Sequence, residues 1–209
     1  MARACYAERM SNAVRASEPP APTPMTVPEF LDWAREDGGR WELDGGFAVE
    51  MQSERAGHNR AKRRCANALE RAVGKAGLPC EVFADGMDVV LDGSVYVPDT
   101  MLRCGDPVDD DTTRLSDPMI VVEVLSPSNT LIEMTTKIDG YFSLPSVAWV
   151  LLVNTKARTV HSYARGEGAL LMRRHDEGDT LALHPPGLEV TVADMLPLPP
   201  EPPASSPEA

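Results

Sequence analysis

The chain has 209 residues, 25% of them charged, and its 32 acidic and 20 basic side chains leave a net charge of -12. That length buries one sizeable core without requiring a second domain, and the acidic excess opposes loose, sequence-independent attraction to a polyanion. The first residues carry Arg3, Glu8, Arg9 and Arg15 with no unbroken apolar run, which argues against a signal peptide or a membrane span, so a cytoplasmic, membrane-independent protein is expected.

Both ends read as disordered tails. Residues 1–24 close on Glu18-Pro19-Pro20-Ala21-Pro22-Thr23-Pro24, and residues 197–209 begin Pro197-Leu198-Pro199-Pro200-Glu201-Pro202-Pro203. Proline fixes φ and lacks the N–H donor, so neither stretch can propagate a helix or fill a sheet. One folded domain over residues 25–196 remains.

That domain opens with Thr26-Val27-Pro28-Glu29, a capping box that predicts a helix through Phe30, Leu31 and Trp33, ending near Gly38-Gly39. Asp44-Gly45-Gly46 then separates 40–43 from 47–51 as a β-hairpin. Alternation on its first strand sets Glu42 opposite Trp41 and Leu43, facing solvent. From 55 to 76, Ala61, Cys65, Ala68, Leu69, Ala72 and Val73 recur at spacings of three and four, one apolar stripe along a long helix. Short strands are expected at 80–84, 87–91, 95–97 and 100–103, followed by an acidic loop over 105–117.

The run 119–125 is apolar except for Glu123, the pattern of a central strand buried on both faces. A helix over 130–144 and a second apolar strand over 147–153 complete a parallel crossover. Runs at 159–163, 169–173, 180–183 and 188–190 read as an antiparallel extension. Cys5, Cys65, Cys80 and Cys104 form no C-x-x-C pair and have no histidine at zinc spacing, so free, mostly buried thiols are expected.

Charge is unevenly spread. Between Glu54 and Lys75 seven bases face two acids, a local excess of +5, whereas between Asp85 and Asp117 nine aspartates face two arginines, an excess of -7. A solvated face explains each run by itself. A basic helix beside an acidic pocket also suits a metal-dependent enzyme acting on a polyanion.

Glu123 carries the strongest chemical signal, because a carboxylate in an apolar strand loses its hydration and needs a cation or hydrogen-bond donors. A divalent metal and Lys137 are the candidates, with a buried arginine as the structural alternative. Glu133, Lys137 and Tyr141 share one helical face at spacings of four, although Glu133 and Lys137 are also compatible with an exposed ion pair. Asp99 after Pro98 fits a metal ligand or a turn residue. His58 fits a metal or phosphate contact or an ordinary helix start. Ser126 lacks the flanking glycines of a nucleophile elbow.

Taken together and in order, Trp41-Glu42-Leu43-Asp44-Gly45, His58 at a helix head, Pro98-Asp99, Val122-Glu123-Val124-Leu125-Ser126-Pro127-Ser128, Lys137 with Tyr141, and the strand around Trp149 resemble the Uma-two endonuclease family of the PD-(D/E)XK nuclease superfamily. The resemblance spans roughly residues 25–196. It implies an α/β, restriction-endonuclease-like core, a central mixed β-sheet flanked by α-helices, with an active site where two strands splay apart. Asp99 and Glu123 match the acidic metal ligands. The lysine that the wider superfamily places two residues after the second acid is here Leu125, and Lys137 on the following helix matches the family's displaced lysine. Glu133 stands where the family more often has aspartate, and Trp41 where it often has tyrosine.

On that resemblance, Asp99, Glu123 and the Val124 carbonyl are expected to bind Mg²⁺ or Mn²⁺, and Lys137 to orient water or stabilise transition-state charge. Glu42 is expected to hold a second metal or position the first, His58 to contact phosphate on the substrate, and Tyr141 to hold Lys137 in place on the substrate-binding side. The expected partner is nucleic acid, DNA in particular, with a homodimer supplying one site per strand. The rival expectation is a non-catalytic nucleic-acid-binding or protein-interaction module that keeps the fold, supported by the acidic charge and the lack of a recognisable DNA-binding domain. Hydrolysis of a smaller phosphoester would share the same site.

Overall fold

The computed structural model describes residues 23–127 and 129–198, so most of the two proline-rich tails, and Cys5, lie outside the described residues. Helix α1 (Val27–Asp37) starts as its capping box requires: Thr26 Oγ1 accepts from the Glu29 N–H, and Glu29 accepts from the Thr26 N–H at 2.8 Å. Gly38 ends it in the left-handed region, at φ 73°, where a side chain would be strained. Strands β1 (Trp41–Asp44) and β2 (Phe47–Glu50) form the expected hairpin, and α2 (Ala56–Ala76) follows. Then come β3 (Cys80–Ala84), β4 (Asp88–Val90), β5 (Val95–Tyr96), β6 (Thr100–Cys104), β7 (Arg114–Leu115) and β8 (Ile120–Val124). The C-terminal part adds α3 (Leu131–Ser143), β9 (Trp149–Asn154), β10 (Thr159–Arg165), β11 (Leu170–Asp176), β12 (Thr180–Leu183), β13 (Leu188–Thr191) and α4 (Val192–Met195).

The strands form a six-stranded sheet in the order β11-β10-β9-β8-β6-β3, a five-stranded sheet in the order β2-β1-β5-β4-β7, and a separate β12–β13 ribbon. β8 pairs with β9 in parallel across α3, and β4 with β7 in parallel, so both larger sheets are mixed. The large sheet carries a core on each face. Ile120, Val122 and Val124 of β8 pack with Ala61, Cys65 and Leu69 of α2, together with β12, β13 and α4. Val121 points the other way, into a core with Met134, Ile138 and Tyr141 of α3. Since side chains alternate along a strand, Glu123 shares Val121's face and therefore meets α3. A smaller cluster of Phe30, Leu43 and Val95 holds α1 on the five-stranded sheet.

Four expectations change. Cys80 and Cys104 are disulfide-bonded, not free, because the antiparallel register of β3 and β6 sets them directly opposite, with Cα atoms 3.9 Å apart. Their separation of 24 residues gave no hint of that register. Glu42 faces inward at 8% exposure alongside fully buried Leu43, because the hairpin is covered on both sides: α1 takes Leu43 and the candidate site takes Glu42. The acidic loop contains β7, whose Leu115 is buried against β4. The antiparallel extension of the large sheet stops at β11, while β12 and β13 pair with each other and cover α2. Among the described residues no helix is long and apolar enough to cross a membrane.

Candidate active site

Pairing of β6 with β8 runs from Leu102–Ile120 to Thr100–Val122 and then stops. Beyond that point the Asp99 side chain replaces the backbone partner: its Oδ2 accepts the Val124 N–H at 2.6 Å. The carboxylate thus satisfies a donor that the parting strands would otherwise leave unpaired, and the two strand ends open around it. Thr100, the first residue of β6, is fully buried and donates from Oγ1 to the Lys62 carbonyl, which docks α2 against the strand.

Glu123 sits beside this opening at 7% exposure. Its Oε1 accepts the Tyr141 hydroxyl at 2.6 Å and lies 3.6 Å from Lys137 Nζ. Lys137 also donates to Glu42 Oε1 at 2.8 Å, and the same oxygen accepts the Val97 N–H at 2.9 Å. Both glutamates therefore meet Lys137 through one oxygen and hold Oε2 outside these contacts. The Tyr96 ring lies 5.2 Å from the ammonium and edge-on to Tyr141, with centroids 5.5 Å apart, and its hydroxyl donates to Asp44 at 2.7 Å. An aromatic wall thus shields the ammonium and limits where it can move.

The electrostatics follow from burial and from the crowding of acids. Burial pushes the Glu123 carboxyl up to about 7, and nearby Asp99 and Glu42 add to the rise, against the opposing pull of Lys137 and Tyr141. Burial works against the charged form of Lys137, yet Glu123 and Glu42 outweigh it and raise its pKa. For Asp99, burial likewise favours the neutral form, but the His58 bond and Lys62 prevail and hold the carboxyl below its ordinary value.

A second group of charges meets the other oxygen of Asp99. Asp99 Oδ1 lies 2.8 Å from Lys62 Nζ and 3.3 Å from His58 Nε2. The same ammonium is hydrogen-bonded to Glu54 and stands 3.5 Å from Asp85, which Arg40 also grips at 2.6 Å. The bond to Asp99 raises the pKa of His58, and burial only partly offsets it. Among the described residues, Glu54, His58 and Asp99 form a group of three whose ligand atoms lie within 4.8 Å of one another, a geometry that a metal ion could use.

The structure thus brings together Asp99, Glu123, Lys137, Glu42 and His58, with the Val124 backbone at the edge. Tyr141, expected against Lys137 and on the substrate side, donates to Glu123 and is fully buried. Glu133 takes no part, because it caps α3 through Thr130 and bonds Asn129. Lys62, Glu54, Asp85 and Tyr96 were missed. For Lys62 a signal existed: it lies four residues after His58 and beside Ala61 and Cys65, so it follows the histidine on the buried side of α2.

Carboxylates at parting strand ends with a lysine on the adjoining helix, on a mixed α/β fold, define a nuclease-like protein. Residues 27–195 match the family Uma2, described as "Putative restriction endonuclease", and the chain belongs to that family. The chain is similar to the crystal structure of "a putative nuclease belonging to DUF820" from Anabaena variabilis ATCC 29413, with a TM-score of 0.67 at 17% identity over 82% of this chain and 97% of that one. It is also 27% identical over 182 residues to the "Uncharacterized protein slr1290" of Synechocystis sp. (strain ATCC 27184 / PCC 6803 / Kazusa), covering 85% of this chain and 94% of that protein.

Proposed function

We propose that this protein is a metal-dependent endonuclease of the PD-(D/E)XK type that hydrolyses phosphodiester bonds in DNA, using Mg²⁺ or Mn²⁺. The observation that carries this reading is the convergence of Asp99 and Glu123 where β6 and β8 part, with the Lys137 ammonium 3.6 Å from Glu123. The donor chemistry fits a hard divalent cation, since Glu42, Asp99 and Glu123 are buried carboxylates, and burial together with Asp99 and Glu42 pushes Glu123 toward its neutral form. Asp99 and Glu123, with the Val124 carbonyl and Glu42, are the residues that would hold the ion. When bound, such an ion supplies Lewis-acid polarisation of the phosphate and a more acidic water.

The chain's own groups supply the rest. Lys137 is held by Glu42 and screened by Tyr96, so its ammonium is fixed in advance and can stabilise charge developing on the phosphoryl oxygens. Tyr141 keeps the Glu123 carboxylate aimed. His58, half-buried and bonded to Asp99, is the side chain that would contact a phosphate of the substrate. Arg55, Arg60 and Arg63, at or near the head of α2, are exposed and locally offset the acidic total. Two strands call for two sites, hence a homodimer.

The test is a cleavage screen over single-stranded, duplex and supercoiled DNA and over RNA, with Mg²⁺ or Mn²⁺, comparing the parent with Asp99→Ala and Glu123→Ala. Metal-dependent cleavage of DNA that both variants lose is the expected result. Cleavage unchanged in both removes these residues from the mechanism. Nucleic-acid binding without cleavage, and with a melting temperature unmoved by millimolar metal, turns the assignment to a non-catalytic binding module.

A further inference from the structure

Lys62 is an unusual lysine for a surface helix. It is 3% exposed, and its ammonium meets three carboxylates from three different segments: Asp99 at 2.8 Å, Asp85 at 3.5 Å, and Glu54 through a hydrogen bond. Long basic side chains normally carry their charge to water, so burying this one requires that those acids compensate it. Two of those acids, Glu54 and Asp99, together with His58 set ligand atoms within 4.8 Å of each other, an arrangement that could also hold a metal ion. Asp99 is shared: one oxygen faces Lys62 and His58, while the other is tied to the Val124 N–H beside Glu123. The carboxylates around the opening therefore define two adjoining cation positions, and the ammonium of Lys62 already fills one.

Building on the nuclease reading above, we propose that Lys62 stands in for a second metal ion, so that the protein takes up a single divalent cation, on the Glu123 side of Asp99. Lys62 is a positioning residue in this arrangement. It neutralises one side of Asp99 with a charge that cannot dissociate, and α2 fixes it there because the Lys62 carbonyl accepts from buried Thr100.

Metal counting on the full chain tests this, using Mn²⁺ as the probe, with isothermal titration for stoichiometry and electron paramagnetic resonance for the bound fraction. The parent is expected to bind one Mn²⁺ per chain, and Glu123→Ala to bind none. Lys62→Ala, which vacates the position and leaves its ligands, is expected to bind two, and adding Glu54→Gln is expected to return the count to one. Two ions in the parent overturn the proposal without recourse to any variant. A count of one in Lys62→Ala, with its circular-dichroism spectrum and cooperative melting retained, overturns it while leaving the nuclease reading intact. A parent that binds no Mn²⁺ overturns the nuclease reading and the assignment of Lys62 with it.

Discussion

Two buried lysines face the same pair of strand ends from opposite sides of the large sheet, and they are built differently. Lys137 comes from α3 and finds Glu42 and Glu123, both on strands, inside a frame completed by Tyr96, Tyr141 and the Val97 N–H. Lys62 comes from α2 and finds Asp99 just before β6, but its other partners, Glu54 and Asp85, lie in connecting segments and are more open, their side chains 19% and 32% exposed. The rigid side can fix a charge against a reacting group. The looser side can satisfy a charge but orients it less strictly.

The largest expected effect tests the rigid side. Lys137→Met leaves Glu42 and Glu123 buried without their cation, and removing one partner of a buried pair costs about 3–5 kcal/mol. Urea unfolding should show that loss, and the DNA cleavage rate should fall by about 10²–10³-fold. A stable, active Lys137→Met protein would erase the contrast between the two lysines.

Next in size is the Cys80–Cys104 bridge, which ties β3 to β6 at the end of β6 remote from Asp99. Cys104→Ser should cost about 2–4 kcal/mol of stability yet leave the Mn²⁺ count unchanged, separating what holds the sheet from what holds the site. Alkylation followed by mass spectrometry should register two additional thiols after reduction of the unfolded parent.

A smaller loss is expected from Tyr141→Phe, about 1.5–3 kcal/mol for a hydrogen bond to a charged group. Because Tyr141 aims Glu123 without meeting substrate, cleavage should fall through kcat with KM nearly unchanged. A rise confined to KM would place the hydroxyl in substrate contact instead.

The smallest effect lies away from both lysines. Burial holds His175 below its ordinary pKa, with Arg173 and His161 also lowering it and Asp179 opposing, and its Nε2 lies 2.9 Å from the Ser162 hydroxyl. The folded protein therefore favours neutral imidazole. As the pH falls through the unfolded value of 6.5, the unfolded chain takes up the proton first and stability is lost. Glu123 and His58, whose pKa values are raised, contribute stability as the pH falls through the same window. The decline should therefore appear as a melting-temperature difference between the parent and His175→Asn that closes as the pH falls from 8 to 5. A decline of equal slope in the variant would remove His175 as its source.

The Glu123 side was legible for a definite reason: a carboxylate interrupting an apolar β run signals an unmet charge, and a helical lysine downstream answers it. The Lys62 side was hidden because a lysine among six other bases between residues 54 and 75 reads as a solvated face, and only docking of α2 on β6 and β8 shows which one turns inward. Glu42 was misplaced for the opposite reason. Alternation along a strand assigns one face to solvent, but here α1 covers one side of the hairpin and the site covers the other.

What the sequence by itself determined was local: caps, turns, the apolar stripe of α2, the crossover through α3, and Glu123 as a charge needing a partner. Each follows from interactions within a few residues or from the desolvation of one group, whereas Asp99 and Lys137 were singled out through the family resemblance. The tertiary structure decided which distant charges meet: Lys62 with Asp99, Lys137 with Glu42, and Cys80 with Cys104. Those choices depend on strand register and helix docking, which are set by burial summed over the whole core rather than by any short stretch of chain.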